Sequence, residues 1–240
     1  MSTLTLVRHA QASFLSDNYD ELSPLGEEQA ERLGEFWAMQ EVRFDRAYTG
    51  PGRRHRDTAQ TIARVFARRG QPFPEVHLLH DLDEFNIDTV LYSKPETVVD
   101  MHPGLAPAYE QLIAAQDDVQ ARRRAFQHFF EGVAALWVEG KLEVPGVEDW
   151  SDFARRVRRA IAAMTSGSPS GHRVVAFTSG GPIAVAVQHA LHLTPHHTLQ
   201  LVWALRNASL TEFLYTKDRY SLSIFNGAPH FRDTRMLTYR

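Results

Sequence analysis

Four places in the chain set ionisable or anion-binding groups where a strand-like run meets a loop: Arg8-His9, Arg54, Glu84 and Ser179-Gly180. The first follows Thr3-Leu4-Thr5-Leu6-Val7, an apolar, β-branched run of the kind that forms a buried strand in a parallel sheet. Open α/β sheets bind ligands outside the carboxyl ends of their strands. Arg8 and His9 would there pair a fixed positive charge with a group that can be neutral, nucleophilic or acidic near pH 7. Two arginines suit a phosphoryl group, because each guanidinium offers a planar fork of donors to nonbridging oxygens. Gly180-Gly181-Pro182 adds a glycine turn and a helix N-terminus, whose outward N–H groups make a ready anion site. Positive charges hold a nearby histidine neutral, so that it can attack phosphorus in line. A carboxylic acid must then protonate the departing alkoxide. These residue types match transfer of a phosphoryl group through a phosphohistidine.

The elements needed to position them are legible. Ser23 and Pro24 supply an N-cap and first helical residue, and Ala30, Leu33 and Trp37 form a buried stripe behind them. Residues 44–49 read as a second strand, ending in the turn Gly50-Pro51-Gly52, and Ile62, Val65 and Phe66 mark the helix that follows Arg53-Arg54-His55. Residues 76–82 read as a third strand running into Asp83-Glu84, and 173–179 as a fourth. Residues 210–215 and 222–225, joined through Lys217-Asp218-Arg219, fit an antiparallel edge hairpin. Between them, about 88–147 is dominated by helical patterning, with Phe126, Phe129, Phe130, Val133 and Trp137 on one face and Pro95, Pro103, Pro107 and Pro145 as punctuation. The order predicts an α/β fold: a mostly parallel central sheet flanked by helices on both faces, in one domain over 1–240, with 88–147 as a helical capping insertion. A further helix carries Phe153, Val157, Ile161 and Met164 on one side and Arg155, Arg156, Arg158 and Arg159 on the other, an arginine run that reads as a solvated face.

Composition narrows the chemistry further. The 240 residues contain no cysteine, which removes disulfides, thiolate metal sites and cysteine nucleophiles. A formal net charge of −3 gives no electrostatic case for nucleic acid or an anionic membrane. No stretch approaches the roughly 18 apolar residues of a membrane span. The N-terminus enters a strand at once, with no signal-peptide pattern, so a cytoplasmic location is the default expectation. His189, His192, His196 and His197 are spaced loosely and read as surface helix histidines; no metal and no cofactor is expected.

The chain resembles the histidine phosphatases, the phosphoglycerate mutase-like superfamily, over most of its length outside the insertion. Leu6-Val7-Arg8-His9-Ala10 resembles the opening Arg-His-Gly motif, with Ala10 for glycine; Leu22 to Ala30 is similar to the first helix; Thr49 to Ala59 resembles the segment with the second phosphate-binding arginine; Leu82-Asp83-Glu84 resembles the one with the proton donor. The resemblance implies His9 as phosphorylated nucleophile, Arg8 and Arg54 as phosphate clamps and Glu84 as the acid that later acts as base. It also implies a second histidine after the fourth strand, and Ser179 stands in its place. Serine donates a hydrogen bond without carrying charge, so phosphate binding through Ser179, Gly180 and Gly181 is expected with weakened or restricted catalysis. Gln11 and Ser13 are candidate substrate contacts, Arg53 is expected in solvent, and a substitute role for His55 is open. The implied activity is a metal-independent phosphomonoesterase acting on a small phosphorylated metabolite, or binding inorganic phosphate. The alternatives are a phosphomutase, or a phospho-ligand binder that has lost turnover. A homodimer is left open.

Overall fold

The computed structural model describes residues 1–13, 20–87, 91, 95–115, 118–142, 144, 146–167 and 170–239. Most of the loop after Ser13, the expected start of the insertion at Asp88, and Pro145 lie outside these residues.

Strands β1 (Ser2–Arg8), β2 (Arg46–Thr49), β3 (Val76–Leu78), β4 (Arg173–Thr178), β5 (Leu210–Tyr215) and β6 (Tyr220–Gly227) form one sheet in the order β3-β2-β4-β1-β5-β6. β3, β2, β4 and β1 run parallel, while β5 and β6 close the far edge antiparallel. This is the α/β fold the sequence predicts. Pairing of Arg8 with Thr178, and of Thr49 with both Phe177 and Leu78, brings the carboxyl ends of all four parallel strands to one edge.

Alternation along the strands separates two cores. Leu4, Leu6, Val174 and Ala176 pack against α6 (Trp150–Thr165) and α7 (Gly180–Leu191), together with α5 (Val119–Val138) and α8 (Pro195–Ala204). Val7, Val175 and Phe177 face the other way, onto Leu33 and Trp37 of α1 (Pro24–Met39) and Ile62 and Phe66 of α2 (Arg53–Arg68). Ser23 caps α1 as expected, its hydroxyl accepting from Gly26 N–H. α2 starts on Gly52, which has no side chain to cap it; Asp20 does so from outside, accepting from Arg53 N–H at 2.6 Å.

Two short helices, α3 (Pro95–Met101) and α4 (Ala106–Ala114), precede α5. The α5 stripe Phe129, Phe130, Val133 and Trp137 is buried, with Trp137 4.9 Å from Phe85 and Phe130 5.2 Å from Trp203. The third strand is shorter than 76–82. The ladder stops at Leu78, and His80–Leu82 makes a 3-10 turn that Thr178 pins by donating its hydroxyl to Leu82 O at 2.6 Å. The final strand is longer than 222–225, because β6 pairs β5 from Tyr220 onward through a turn closed by Thr216 N–H on Arg219 O.

Candidate active site

His9 leaves the sheet where β1 meets β4. Its N–H donates to Thr178 O at 2.8 Å, while its carbonyl accepts from Ala208 N–H and Asn207 Nδ2, each at 3.2 Å. Ala208 holds a left-handed φ of 53°, and backbone strain of this sort persists only where surrounding contacts enforce it. The next residues are fixed as tightly. Ala10 N–H donates to Thr58 Oγ1 (3.0 Å) and Gln11 N–H to Gln29 Oε1 (2.8 Å). Gln29 is fully buried, and its amide nitrogen reaches Met236 O and Thr238 Oγ1. Thr238 in turn donates to Asn207 Oδ1 at 2.9 Å, closing a network from the C-terminal segment back to His9. Gly26 permits the close approach of α1, since a Cβ there would lie 2.1 Å from Gln11 O.

The His9 imidazole is buried, with Nδ1 2.8 Å from Ala10 O. A carbonyl only accepts, so Nδ1 carries the proton and Nε2 keeps its lone pair. Burial, then the charges of Arg54 and Arg8, then His55, hold the pKa well below its ordinary value. The ring is therefore neutral and bare at Nε2 in a cationic setting, the state a nucleophile for phosphorus needs.

Arg8, the last residue of β1, donates Nη1 to Leu205 O. Arg54, in the first turn of α2, sends Nη1 to Asp20 Oδ1 at 2.5 Å and Nη2 to Ser179 Oγ at 3.2 Å. Ser179 also lies 2.6 Å from Nε2 of His55, whose ring centroid is 5.6 Å from that of His9. Both guanidiniums, Ser179 and the His9 imidazole thus gather at one edge of the sheet, a donor set for the oxygens of a phosphoryl group.

Glu84 completes the opposite wall. Its carboxylate oxygens accept from Gly181 N–H at 3.1 and 3.2 Å, and one accepts from Phe85 N–H at 3.2 Å. Burial raises its pKa; the Gly181 N–H, Arg54, the Phe85 N–H and Arg8 oppose the rise without cancelling it. A carboxyl that holds its proton above the usual range suits a general acid. Only glycine fits at 181, where a Cβ would lie 2.1 Å from Glu84 Oε1. Arg156 secures the loop from below: Nη1 donates to Asp81 O (3.0 Å) and Asp83 O (2.8 Å), Nη2 to Glu84 O (3.1 Å), and Nε to Glu148 Oε2 (3.0 Å).

Several expectations change. Arg156 is no solvated arginine: its planar fork is matched to three loop carbonyls, while Arg155, Arg158 and Arg159 are exposed as predicted. The Gly181 N–H is not available to phosphate, because Glu84 takes it. Gly180 is buried beside Val202 of α8. Gln11 accepts from the Ser23 hydroxyl at 2.9 Å, tying its loop to α1, and Ser13 N–H donates to Glu21 O at 2.8 Å. Arg53 is exposed and pairs with Glu21 and Asp57. Among the described residues no group of three or more histidine, cysteine, aspartate or glutamate side chains could hold a metal ion, and no helix is long and apolar enough to cross a membrane. Asp20, Thr58, Gln29, Asn207 and Arg156 escape a reading of the sequence. The signal for Gln29 was there: a glutamine inside the apolar stripe of α1, beside Ala30 and between Gly26 and Leu33.

No curated protein matches the chain. Solved structures do. A mycobacterial glucosyl-3-phosphoglycerate phosphatase with inorganic phosphate aligns with a TM-score of 0.63 at 21% identity, covering 95% of this chain and 99% of that one. YhfR of Bacillus stearothermophilus aligns at 0.68 and 16% identity, over 96% and 99%. A phosphoglycerate mutase from Bacillus anthracis aligns at 0.63 and 19% identity, over 95% and 94%. At these identities the likeness is one of fold. The sequence profile of the histidine phosphatase superfamily (branch 1) matches residues 4–137 and 116–227, and the chain belongs to that superfamily.

Proposed function

We propose that the protein is a metal-independent phosphomonoesterase that cleaves a small phosphorylated metabolite through a phosphohistidine at His9. Arg8 and Arg54 bind the nonbridging oxygens, with Ser179 as a further donor. His9 Nε2 attacks phosphorus in line as the ester P–O bond breaks, and Glu84 gives its proton to the departing alkoxide. The Glu84 carboxylate then takes a proton from water, which attacks the phosphohistidine; the N–P bond breaks, phosphate leaves and His9 is again neutral. The observation that carries this reading is the Nδ1–H of His9 held on Ala10 O, which leaves Nε2 bare beside two guanidiniums.

The positive charge that phosphoryl transfer needs is supplied by these two side chains, which is why the reaction is written without a metal. Residues 1–240 are read as one domain, with the helices between 95 and 138 capping the site and choosing the substrate; their buried aromatic stripe reaches Phe85, the neighbour of Glu84. A mutase would have to keep water away while the phosphorylated intermediate reorients. Ser179 favours a second reading, a phospho-ligand sensor with little turnover, because it offers a neutral donor where the family resemblance implies a histidine.

Chelator-treated protein assayed on an aryl phosphate, beside His9→Ala, separates these readings. The expected result is chelator-resistant turnover, with an acid-labile phosphoryl-enzyme that His9→Ala abolishes. Phosphate binding without turnover or phosphoryl-enzyme would instead identify a sensor.

A further inference from the structure

We infer that His55 is the positioning residue of this site: it donates a hydrogen bond to Ser179 Oγ and so turns the serine hydroxyl proton toward the transferring phosphoryl group. The inference rests on the phosphoryl-binding reading of the site and gives a role to a buried imidazole that the reaction above leaves unused.

His55 is fully buried in the first turn of α2. A slot is made for its ring by two glycines. A Cβ at Gly50 would lie 2.6 Å from His55 Nδ1, and one at Gly52 would lie 3.1 Å from it. The run Gly50-Pro51-Gly52 therefore both turns the chain and admits an imidazole beside Ser179.

Partners decide the tautomer. His55 Nε2 lies 2.6 Å from Ser179 Oγ, whereas Nδ1 is buried and has no hydrogen-bond partner among the described residues. With the proton on Nδ1, a buried N–H would go unsatisfied, which proteins rarely tolerate; with the proton on Nε2, only an acceptor goes unsatisfied, which costs less. Burial, with Arg54 and Arg56, also holds the ring neutral, so a single proton must be placed. It belongs on Nε2, and His55 donates to Ser179.

That direction fixes the serine. A hydroxyl has two acceptor positions and one proton. Ser179 accepts from His55 Nε2–H and from Arg54 Nη2–H, which fills both positions and leaves the O–H as a donor only. Without His55 the hydroxyl could rotate and spend its proton elsewhere. A donor preorganised at the oxyanion is worth about 10²–10³ in rate, whereas a freely rotating one is worth less.

Two measurements test this. The first is the ¹⁵N spectrum of the imidazoles in the unliganded full chain, which reports the tautomer independently of activity. His55 should carry its proton on Nε2; a proton on Nδ1 overturns the inference. The second is a double-mutant cycle of His55→Phe with Ser179→Ala, read on aryl-phosphate kcat and on orthovanadate affinity. Each single variant should lower kcat by about 10–100-fold, and the double variant should be no worse than the lower single by more than about threefold, since both remove one donor. His55→Gln, which keeps an N–H donor, should recover most of the loss with Ser179 present and none with Ser179→Ala. Independent, additive losses, or His55→Gln no better than His55→Phe in protein that melts normally, would overturn it.

If the wild-type protein binds vanadate but never turns over, the phosphatase reading fails, and the same cycle on vanadate affinity still decides the role of His55. Absence of any oxyanion binding would sink both.

Discussion

The nucleophile and the proton donor face the same substrate from walls built on different principles. His9 continues β1 without a break, and its backbone is bonded on one side to β4 and on the other to Asn207 and Ala208. Glu84 stands beyond a 3-10 turn past the end of β3, with no ladder to hold it. Its place is set by a helix N-terminus (Gly181), by a guanidinium on α6 (Arg156) and by the aromatic cluster around Phe85, which stacks with Trp137 at 4.9 Å and meets Phe153 at 5.6 Å. The nucleophile is positioned by the fold; the acid is positioned by other side chains. Any substrate that shifts α5 through Phe130 or Trp137 has a mechanical route to Glu84 and none of comparable directness to His9.

The largest test of this difference is Gly181→Ala. The added methyl would overlap Glu84 Oε1, Phe85 and Phe153, so the carboxyl must move. Displacement of a catalytic group by about 1 Å can cost on the order of 10²-fold. Single-turnover phosphorylation of His9 by an alkyl phosphate, which needs a proton for its leaving group, should fall by that amount. An aryl phosphate with an acidic phenol should be affected far less, because its leaving group departs unprotonated. Equal losses on both would mean that the substitution damaged the nucleophile wall as well, and the contrast between the walls would fail.

Arg156→Lys makes the same point from farther away. Lysine keeps the charge but cannot span three carbonyls and Glu148 with a planar fork. The loop at 81–84 should loosen, with a loss on the order of tenfold on alkyl phosphates, below the cost of a full displacement. Vanadate affinity, which reports Arg8, Arg54 and Ser179, should hardly change. A drop in vanadate affinity equal to the drop in rate would show Arg156 supporting the whole site instead of the acid alone.

The same division explains what could be read from the sequence. His9, Arg8 and Ser179 sit next to strands whose apolar runs are unmistakable, so their position follows from local pattern and strand order. Glu84 was reached only through the family resemblance; the run at 76–82 suggested a strand that would carry it to the sheet edge, and the turn at 80–82 intervenes. Arg156 was hidden inside an arginine run, although it lies three residues after Phe153 and next to Val157, on the flank of the buried stripe of α6. His55 shares the buried face of α2 with Thr58, Ala59 and Ile62. Both mark the same weakness: a polar residue on an apolar helical face has a partner, but periodicity does not say which one. The partners of Arg156 and His55 come from segments distant in sequence, which only the folded chain brings together.

The smallest effect concerns stability. Burial raises the Glu84 pKa in the folded protein above its model value of 4.5, so the folded state binds more protons than the unfolded one between those two points. The stabilisation this gives is fully present below the unfolded pKa and is lost as pH rises through the folded value. Glu84→Gln keeps an oxygen for the Gly181 N–H and has no proton to lose, so above the folded pKa it should melt higher than the wild type, with the advantage shrinking toward zero as pH falls to about 4.5. His9 and His55 act in the opposite direction: their lowered pKa values weaken the folded state as pH drops below the ordinary histidine value near 6.5. Both histidines are present in wild type and variant alike, so their contribution cancels to first order in the difference between the two melting curves. Thermal melts of the pair from pH 4 to 8 isolate the carboxyl. A difference that stayed constant across that range would mean Glu84 titrates alike folded and unfolded, and the acid wall would lose the desolvation that makes it an acid.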